Sequence, residues 1–486
     1  MKYIDNKTFW LTEQYQFNPN KIFIIDENNS YSFKVIHSLS LKAVSFLLGL
    51  GIKKLDHISI LTKNNIEFII LVNALWFIGA VPIPINTKLT NNEIEKLAEY
   101  SDSQFVFSLN DKIFTLNFNK LKIINFTLDK IFYHNTNFII NKFSLKNTAL
   151  LMYSSGSTGY PKCVQITFNN LYSSFISSNS LINHTPKDIW FASLPFFHIG
   201  GFSIFTRSLL SGCSLHLAKD LSLKSLVKNI KIINPSLISL VPTMLDKLIN
   251  KNISKFKNLR MIFIGGGHST ELLFMKALKK KYPIVIVYGA TETSSMVTSI
   301  LSYDLIDNFN SVGKPLPGVK ITLMNSYGKE CKIGEVGEIV IKSKSVAKGY
   351  FRPKENMGSA IRRAKFYTND LGKYDDNGNL ILIGRKDDIV ISGGENFNLS
   401  EIESFISTSL EIRDCCCVKI NDYKWGQSYI LFISKKVNKH YTENNIKTLL
   451  NNKFSKFKLP KKILFIDNIP RNEMGKVNKE TLINLT

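Results

Sequence analysis

Leu150-Leu151-Met152-Tyr153-Ser154-Ser155-Gly156-Ser157-Thr158-Gly159-Tyr160-Pro161-Lys162 passes from an apolar run into alternating hydroxyls and glycines, and closes on a lysine. Glycine lets backbone N–H groups wrap an anion, Ser and Thr add donors, and Lys adds a mobile positive charge. That is the chemistry of a triphosphate cradle. It is not the Walker loop: that spacing puts glycine at 161, where Pro161 stands, and Ser or Thr at 163, where Cys163 stands. Pro161 also argues against a helix starting directly off the glycines. On these residues alone a solvated Ser/Gly hairpin loop is equally open.

The chain has 486 residues, enough for more than one domain and an ample core without disulfide staples. A hydrophobic fraction of 44% is that of an ordinary soluble protein. Cys415-Cys416-Cys417 lacks metal-ligand spacing and reads as a buried strand in a reducing compartment. Met1 to Lys7 carries no signal core or transit pattern. The longest apolar run, 68–85, holds Asn73, Pro82 and Pro84, so it reads as a buried helix ending near Gly79 followed by a strand, not a membrane span. Net charge is +24, but the basic residues are spread along the chain among Asn and Ile, as an AT-rich genome produces. Nonspecific attraction to polyanions follows, while a dedicated nucleic-acid role has only the charge behind it.

Before the glycine stretch, strands at 30–33, 57–61, 81–85 and 103–107 alternate with helical patterns at 38–50, 64–77 and 91–100. That alternation implies a mostly parallel, helix-covered sheet. After it, a helix at 169–180 leads to Trp190-Phe191-Ala192-Ser193-Leu194-Pro195-Phe196-Phe197-His198-Ile199-Gly200-Gly201, an aromatic–histidine–glycine corner where α/β sheets place ligands, or else a core histidine packed on phenylalanines. In the apolar helix that follows, Arg207 stands alone, to be solvated at a helix edge or paired with an anion. Strands at 236–240 and 261–264 end in Val241-Pro242-Thr243 and Gly265-Gly266-Gly267; the triple glycine lets a flat ring lie on the backbone. A strand at 284–287 ends in Tyr288-Gly289-Ala290-Thr291-Glu292-Thr293-Ser294, offering a stacking face, a hydroxyl and a hard oxygen ligand for Mg²⁺, or else a polar helix start capped by Thr291.

From Ser311 short alternating runs suggest a small β-subdomain leading to Phe366-Tyr367-Thr368-Asn369-Asp370, whose Asp370 suits the hydroxyls of a ribose. The charged tetrad Arg385-Lys386-Asp387-Asp388 reads as a domain junction. Beyond it come a glycine turn, Ser392-Gly393-Gly394-Glu395-Asn396, and a helix at 400–410 with a Ser400/Glu403 capping box. The tail is a small α+β pattern ending in Pro470-Arg471-Asn472-Glu473-Met474-Gly475-Lys476.

The order of these segments resembles the acyl-adenylate-forming superfamily of AMP-dependent synthetases and ligases, over nearly the whole chain. Residues 154–162 match its phosphate loop, 288–294 its adenine and magnesium segment, and 367–370 its ribose aspartate. Residues 384–388 match its hinge and 470–476 its catalytic-lysine loop. The resemblance implies an α/β fold: a large N-terminal domain, 1–384, of helix-covered mostly parallel sheets plus a small β-subdomain. A hinge at 385–388 and a small mobile α+β C-terminal domain at 389–486 follow. The family's glycines after the phosphate-loop lysine and before the ribose aspartate are here Cys163 and Asn369.

The resemblance implies ATP, Mg²⁺ and CoA as reactants and cofactor. Lys476, Thr291 and His198 are the implied catalytic residues, and Glu292 the metal ligand. Ser154, Ser155, Gly156, Ser157, Thr158, Gly159, Lys162, Gly265, Gly266, Gly267, Tyr288, Gly289, Asp370 and Arg385 are implied to bind nucleotide. Asp387 is the implied pivot, and Gly393, Gly394 and Glu395 would line a CoA channel. The segment 194–202, Arg207 and 241–245 look most like the o-succinylbenzoate–CoA ligases of menaquinone and phylloquinone synthesis, with His198, Arg207 and Gly289 at the acyl site. A fatty-acyl- or aryl-CoA ligase is the alternative, and leaves Arg207 without a purpose. The compartment expected is cytoplasm, or plastid stroma for a plastid-encoded chain.

Overall fold

The run Ile66–Ile78 is apolar on every face, and the fold buries all of it except Glu67 as one helix. Asn65 caps its start by accepting from the Phe68 N–H, and Gly79 ends it at φ 84°, a conformation that favours glycine. The chain then turns into strand Val81–Pro84, parallel to His57–Leu61. The computed structural model describes residues 6–109, 121–131, 139–154, 162–251, 256–267, 271–302, 304, 311–353, 360–392, 395–423, 425–436, 439–472 and 475–485.

Among the described residues the principal sheet has nine strands. From Ile284–Ala290 through Met261–Ile264, Leu237–Leu240, Ile189–Phe191 and Ser214–His216 to Ile22–Ile25, neighbours are parallel. Antiparallel strands close both edges, Ser295–Leu301 and Lys314–Pro315 on one side and Ser30–Ser32 on the other. A second, four-stranded parallel sheet holds Val81–Pro84, His57–Leu61, Ser103–Ser108 and Lys122–Asn125. Between the two sheets Trp76 stacks on Phe205, with ring centroids 6.0 Å apart. Thr148–Ser154 and Lys162–Thr167 form an antiparallel pair joined by the short strand Gly349–Tyr350. A strand therefore follows the glycine stretch, in keeping with Pro161 at its head.

The β-rich region after Ser311 is an antiparallel sheet of Val319–Met324, Gly337–Ser343, Lys365–Tyr374, Ile361–Arg362 and Leu380–Arg385. A tight turn, Lys386–Asp388, leads into the last sheet, which is centred on Ile412–Asp422 and Gly426–Lys435. Cys415, Cys416 and Cys417 are buried in the first of these strands. The two apolar clusters of this region draw on residues 390–482 alone.

Several elements differ from the sequence pattern. A first helix, Trp10–Phe17, carries too few apolar residues to show in the periodicity, yet it buries Trp10 and Leu11. The second, Phe33–Gly49, starts five residues before the pattern does because the Ser32 hydroxyl accepts from the Val35 N–H. Helix Leu399–Ser409 is capped by Asn398, not by a Ser400/Glu403 box. Ser400 donates to the Ile383 carbonyl, and Glu403 turns inward to accept from the Cys417 N–H at 2.6 Å. Among the described residues no helix is long and apolar enough to cross a membrane.

Candidate active site

Because strands ending at Phe191, Leu240, Ile264 and Ala290 are parallel neighbours, the segments that follow them leave the sheet along one edge. Asn64 fixes the first segment, donating to the Ala192 and Leu194 carbonyls at 3.2 and 2.7 Å and accepting from the Phe196 N–H at 2.9 Å. Gly201 is required there: a Cβ would lie 2.1 Å from the Pro195 carbonyl oxygen. His198 then opens helix Ile199–Ser211. Its Nε2 is buried without a hydrogen-bond partner among the described residues. Burial and then the charge of Lys476 hold the imidazole down to about 4, so it is neutral at physiological pH.

On the last of these strands the Tyr288 hydroxyl donates to Asp370 Oδ2 at 2.6 Å. Arg385 donates to Asp370 Oδ1 at 3.1 Å and pairs with Asp387 at 3.5 Å. Burial raises the Asp370 carboxyl, while Arg385, Tyr288 and Lys476 pull the other way. Asn369, beside it, has φ 59°, the left-handed region that Asn tolerates in place of glycine. Tyr288, Gly289 and Ala290 belong to the strand itself, extending it beyond the expected end at 287. At Gly289 a Cβ would lie 2.1 Å from the Ser295 carbonyl, and at Gly265 one would lie 2.8 Å from Val287 Cγ2. Gly266 and Gly267 follow, exposed at the sheet edge.

Thr291 does not cap the next turn. Thr293 does that, accepting from the Ala290 N–H at 2.9 Å and donating to the Ser295 carbonyl at 2.7 Å. The Thr291 hydroxyl makes no hydrogen bond to a described residue and is half-buried. Glu292 is buried, accepts from the Tyr350 hydroxyl at 3.0 Å, and has no cationic partner among the described residues. It is the carboxylate available here to a divalent cation; a single carboxylate beside nucleotide phosphates is a donor set that Mg²⁺ takes. Lys162 Nζ lies 5.8 Å from the centre of the Tyr350 ring.

Arg207 is not at a helix edge. It is 3% exposed in helix Ile199–Ser211, with no carboxylate in contact among the described residues. Its guanidinium donates to Ser203 Oγ at 3.2 Å and Ser174 Oγ at 3.3 Å, and Nε has no partner among the described residues. Those serines reach in turn to the Ser294 carbonyl at 2.8 Å and Ser295 Oγ at 3.3 Å. Arg207 is thereby tied to the backbone just beyond Thr291 and Glu292. Burial lowers it to about 9.

From the last region, the turn Arg471–Val477 comes back to this edge, Gly475 lying against Thr243 and Val241. Asp414 holds Arg471 through two bonds of 2.7 and 2.8 Å, and Arg471 donates to the Gly475 carbonyl at 2.6 Å. Lys476 is exposed beside this anchor, and its charge reaches both His198 and Asp370. Glu395 is exposed on the strand that follows the Ser392 turn. Ser154 faces Lys162 across the antiparallel pair. Ser155, Gly156, Ser157, Thr158, Gly159, Gly393 and Gly394 lie outside the described residues.

The model of AMP-binding enzymes matches residues 11–351, and that of the AMP-binding enzyme C-terminal domain matches residues 401–476. The chain belongs to the AMP-binding enzyme family. Within it, the chain is 30% identical to a 2-succinylbenzoate–CoA ligase of a Geobacillus species, covering 97% of this chain and 96% of that one. It is 31% identical to the Bacillus velezensis 2-succinylbenzoate–CoA ligase, covering 97% of each. Its fold matches o-succinylbenzoate CoA synthetase (MenE) of Bacillus subtilis in complex with the acyl-adenylate intermediate OSB-AMP, with a TM-score of 0.90 and 29% identity over 99% and 98% of the two chains. The same Bacillus subtilis enzyme in complex with ATP and magnesium ion matches at a TM-score of 0.87 and 28% identity, over 98% and 99%.

In this AMP-binding enzyme the pattern of motifs missed four side chains that shape the site: Asn64, Ser174, Ser203 and Tyr350. Each is an ordinary polar or aromatic residue with no motif of its own, and the partner it has at the site comes from the tertiary fold. Cys163 is fully buried in a strand, where burial pushes its thiol up to about 12, so it is inert packing.

Proposed function

We propose that the chain is a 2-succinylbenzoate–CoA ligase: it activates the acid with ATP as an acyl-adenylate and transfers the acyl group to CoA. The observation that carries this is Arg207, a guanidinium buried without a carboxylate beneath the site edge. A buried cation with an unsatisfied N–H is costly unless something negative arrives. The second carboxylate of an aromatic keto-diacid would supply it. A monoacid would leave it stranded. The similar Geobacillus, Bacillus velezensis and Bacillus subtilis enzymes support the same substrate.

In the first half-reaction a carboxylate oxygen bonds to the α-phosphorus of ATP, and the bond to pyrophosphate breaks with its electron pair leaving on the pyrophosphate. Asp370 would accept from the ribose hydroxyls, since each of its oxygens keeps a lone pair beyond those used by Tyr288 and Arg385. Lys476 would meet the charge growing on the α-phosphate oxygens, with the Thr291 hydroxyl as a further donor. Neutral His198 would stand between adenylate and acyl group, its unpartnered Nε2 facing a ligand atom. Glu292 would hold Mg²⁺, which screens the repulsion between carboxylate and phosphates. Ser154 to Lys162 would wrap the outer phosphates, and Gly265 to Gly267 and Gly289 would carry the adenine.

Residues 385–388, which include the turn Lys386–Asp388, would serve as the hinge, with Asp387 the pivot between a body of residues 1–384 and a mobile one of 389–486. The separate apolar clusters on either side support that division. After rotation, Gly393, Gly394 and Glu395 would line the CoA channel. The CoA thiolate then attacks the acyl carbon, and AMP leaves with the electrons of the broken C–O bond. Six free thiols, among them the buried Cys415 to Cys417, fit a cytoplasmic site of action. CoA-dependent AMP release across a panel of carboxylates tests the reading, with 2-succinylbenzoate expected to lead and matched benzoic and fatty monoacids to trail. A monoacid that leads removes the assignment.

A further inference from the structure

Residues 345–351 strap two parts of the nucleotide site together. On one side the Ala347 N–H donates to the Glu292 carbonyl at 2.8 Å, and Ser294 Oγ donates to the Ser345 carbonyl at 2.9 Å. On the other, Gly349 and Tyr350 pair with Gln165 and Val164, and the Phe351 N–H donates to the Cys163 carbonyl at 2.7 Å. Asn170 adds bonds to the Lys344 and Val346 carbonyls at 2.8 and 2.7 Å. With its backbone fixed on both sides, the strap places one side chain between them. The Tyr350 hydroxyl donates to Glu292 Oε1 at 3.0 Å, and the Tyr350 ring lies 5.8 Å from the Lys162 ammonium.

We infer that Tyr350 is a positioning residue that aims the Glu292 carboxylate at the divalent cation and couples that aim to the phosphate-loop lysine. This rests on the proposed role of Glu292. A carboxylate with one oxygen tied to a phenol has a fixed plane and presents its other oxygen in one direction; an untied one rotates and loses part of its affinity to that freedom. A phenol, which ordinarily ionises only at about pH 10, is a donor at neutral pH. The ring face meanwhile gives the Lys162 ammonium an electrostatic contact of the cation–π kind, so the phosphate-side cation and the metal-side carboxylate share one support.

The two functions separate by substitution. Tyr350→Phe keeps the ring and removes the hydrogen bond; Tyr350→Leu removes both. The measurement is ATP binding by calorimetry as Mg²⁺ is titrated, with Glu292→Gln beside the two variants and thermal melts without Mg²⁺ to check folding. Tyr350→Phe is expected to raise the Mg²⁺ concentration for half-maximal ATP binding about tenfold while ATP affinity at saturating Mg²⁺ stays near wild type. Tyr350→Leu should weaken ATP at saturating Mg²⁺ as well. If Glu292→Gln shifts the Mg²⁺ dependence and Tyr350→Phe does not, Tyr350 is packing and the inference is overturned. If neither shifts it, the role of Glu292 fails and takes the inference with it.

Discussion

The Tyr288 hydroxyl donates to Asp370 across 2.6 Å, joining strand Ile284–Ala290 of the principal sheet to strand Lys365–Tyr374 of the β-rich region. Burial raises the Asp370 carboxyl, and the Tyr288 hydrogen bond is one of three effects that oppose this. The ionised carboxylate is the form that accepts from a ribose, so ATP affinity should fall as pH drops through the Asp370 value. Tyr288→Phe removes a lowering effect and therefore moves that acid limb to higher pH. ATP affinity at pH 7 should fall about tenfold, the scale of one hydrogen bond to a charged group. Superimposable pH profiles for the two proteins would contradict the link.

Lys476 has its charge felt at both His198 and Asp370, from an exposed position on a turn anchored by Arg471 and Asp414. Lys476→Ala should slow adenylation by about 10²–10³-fold, as the loss of one preorganised donor to developing charge does. Thioester formation from preformed acyl-adenylate should largely survive. Measuring the two half-reactions separately checks this, and an equal fall in both rejects the two-state assignment.

Asp387 sits in the turn Lys386–Asp388, paired with Arg385 at 3.5 Å. Asp387→Pro fixes φ near −65°, about the value a turn of this kind uses. The variant should hold one orientation, keeping adenylation and losing CoA transfer. Near-wild-type rates for both steps take Asp387 out of the hinge.

What the sequence made legible follows from where each signal lives. Periodicity and punctuation located most of the parallel strands and the helix ending at Gly79, because apolar spacing and glycine φ are local properties, but not the short strands Ile22–Ile25, Lys122–Asn125 and Ser214–His216. The burial of Arg207 was not legible: the same residue on the same helix serves a solvated edge or a core, and only the packing of Ser174 and Ser203 decides it. The capping box at Ser400 misled for a related reason. Asn398 stands two residues earlier and competes for the same N–H groups, while Glu403 is drawn to the buried Cys417 strand. Tyr350 had no signal at all, since its partners Glu292 and Lys162 lie 58 residues apart or more in sequence.

Far from the site, Asp188 is a buried carboxylate that accepts from Arg260 Nε and Nη2 at 2.9 and 2.8 Å, Ser236 Oγ at 2.6 Å and the Thr185 N–H at 2.7 Å. Burial raises its carboxyl, but these bonds outweigh it and hold the group down to about 2. A depressed carboxyl stabilises the fold above its unfolded value, near 4, and that contribution disappears as pH falls from about 4 towards 2. Asp188→Asn should cost roughly 2–3 kcal/mol at pH 7. Urea midpoints at pH 7 and pH 3 check this: the gap between wild type and variant should narrow at the lower pH.

A guanidinium buried as Arg207 is would meet the second carboxylate of a diacid, and kcat/KM on two acids tests this most directly. Removing one partner of a buried charge pair costs about 2–5 kcal/mol. Arg207→Leu should raise the KM for 2-succinylbenzoate by about two orders of magnitude or more. A matched aromatic monoacid should be used as well as before, or better, because leucine fills the site without a stranded charge. The ratio of kcat/KM for diacid over monoacid should therefore collapse. A variant that loses both acids by the same factor would instead make Arg207 a structural residue, and the succinylbenzoate assignment would lose the observation that carries it.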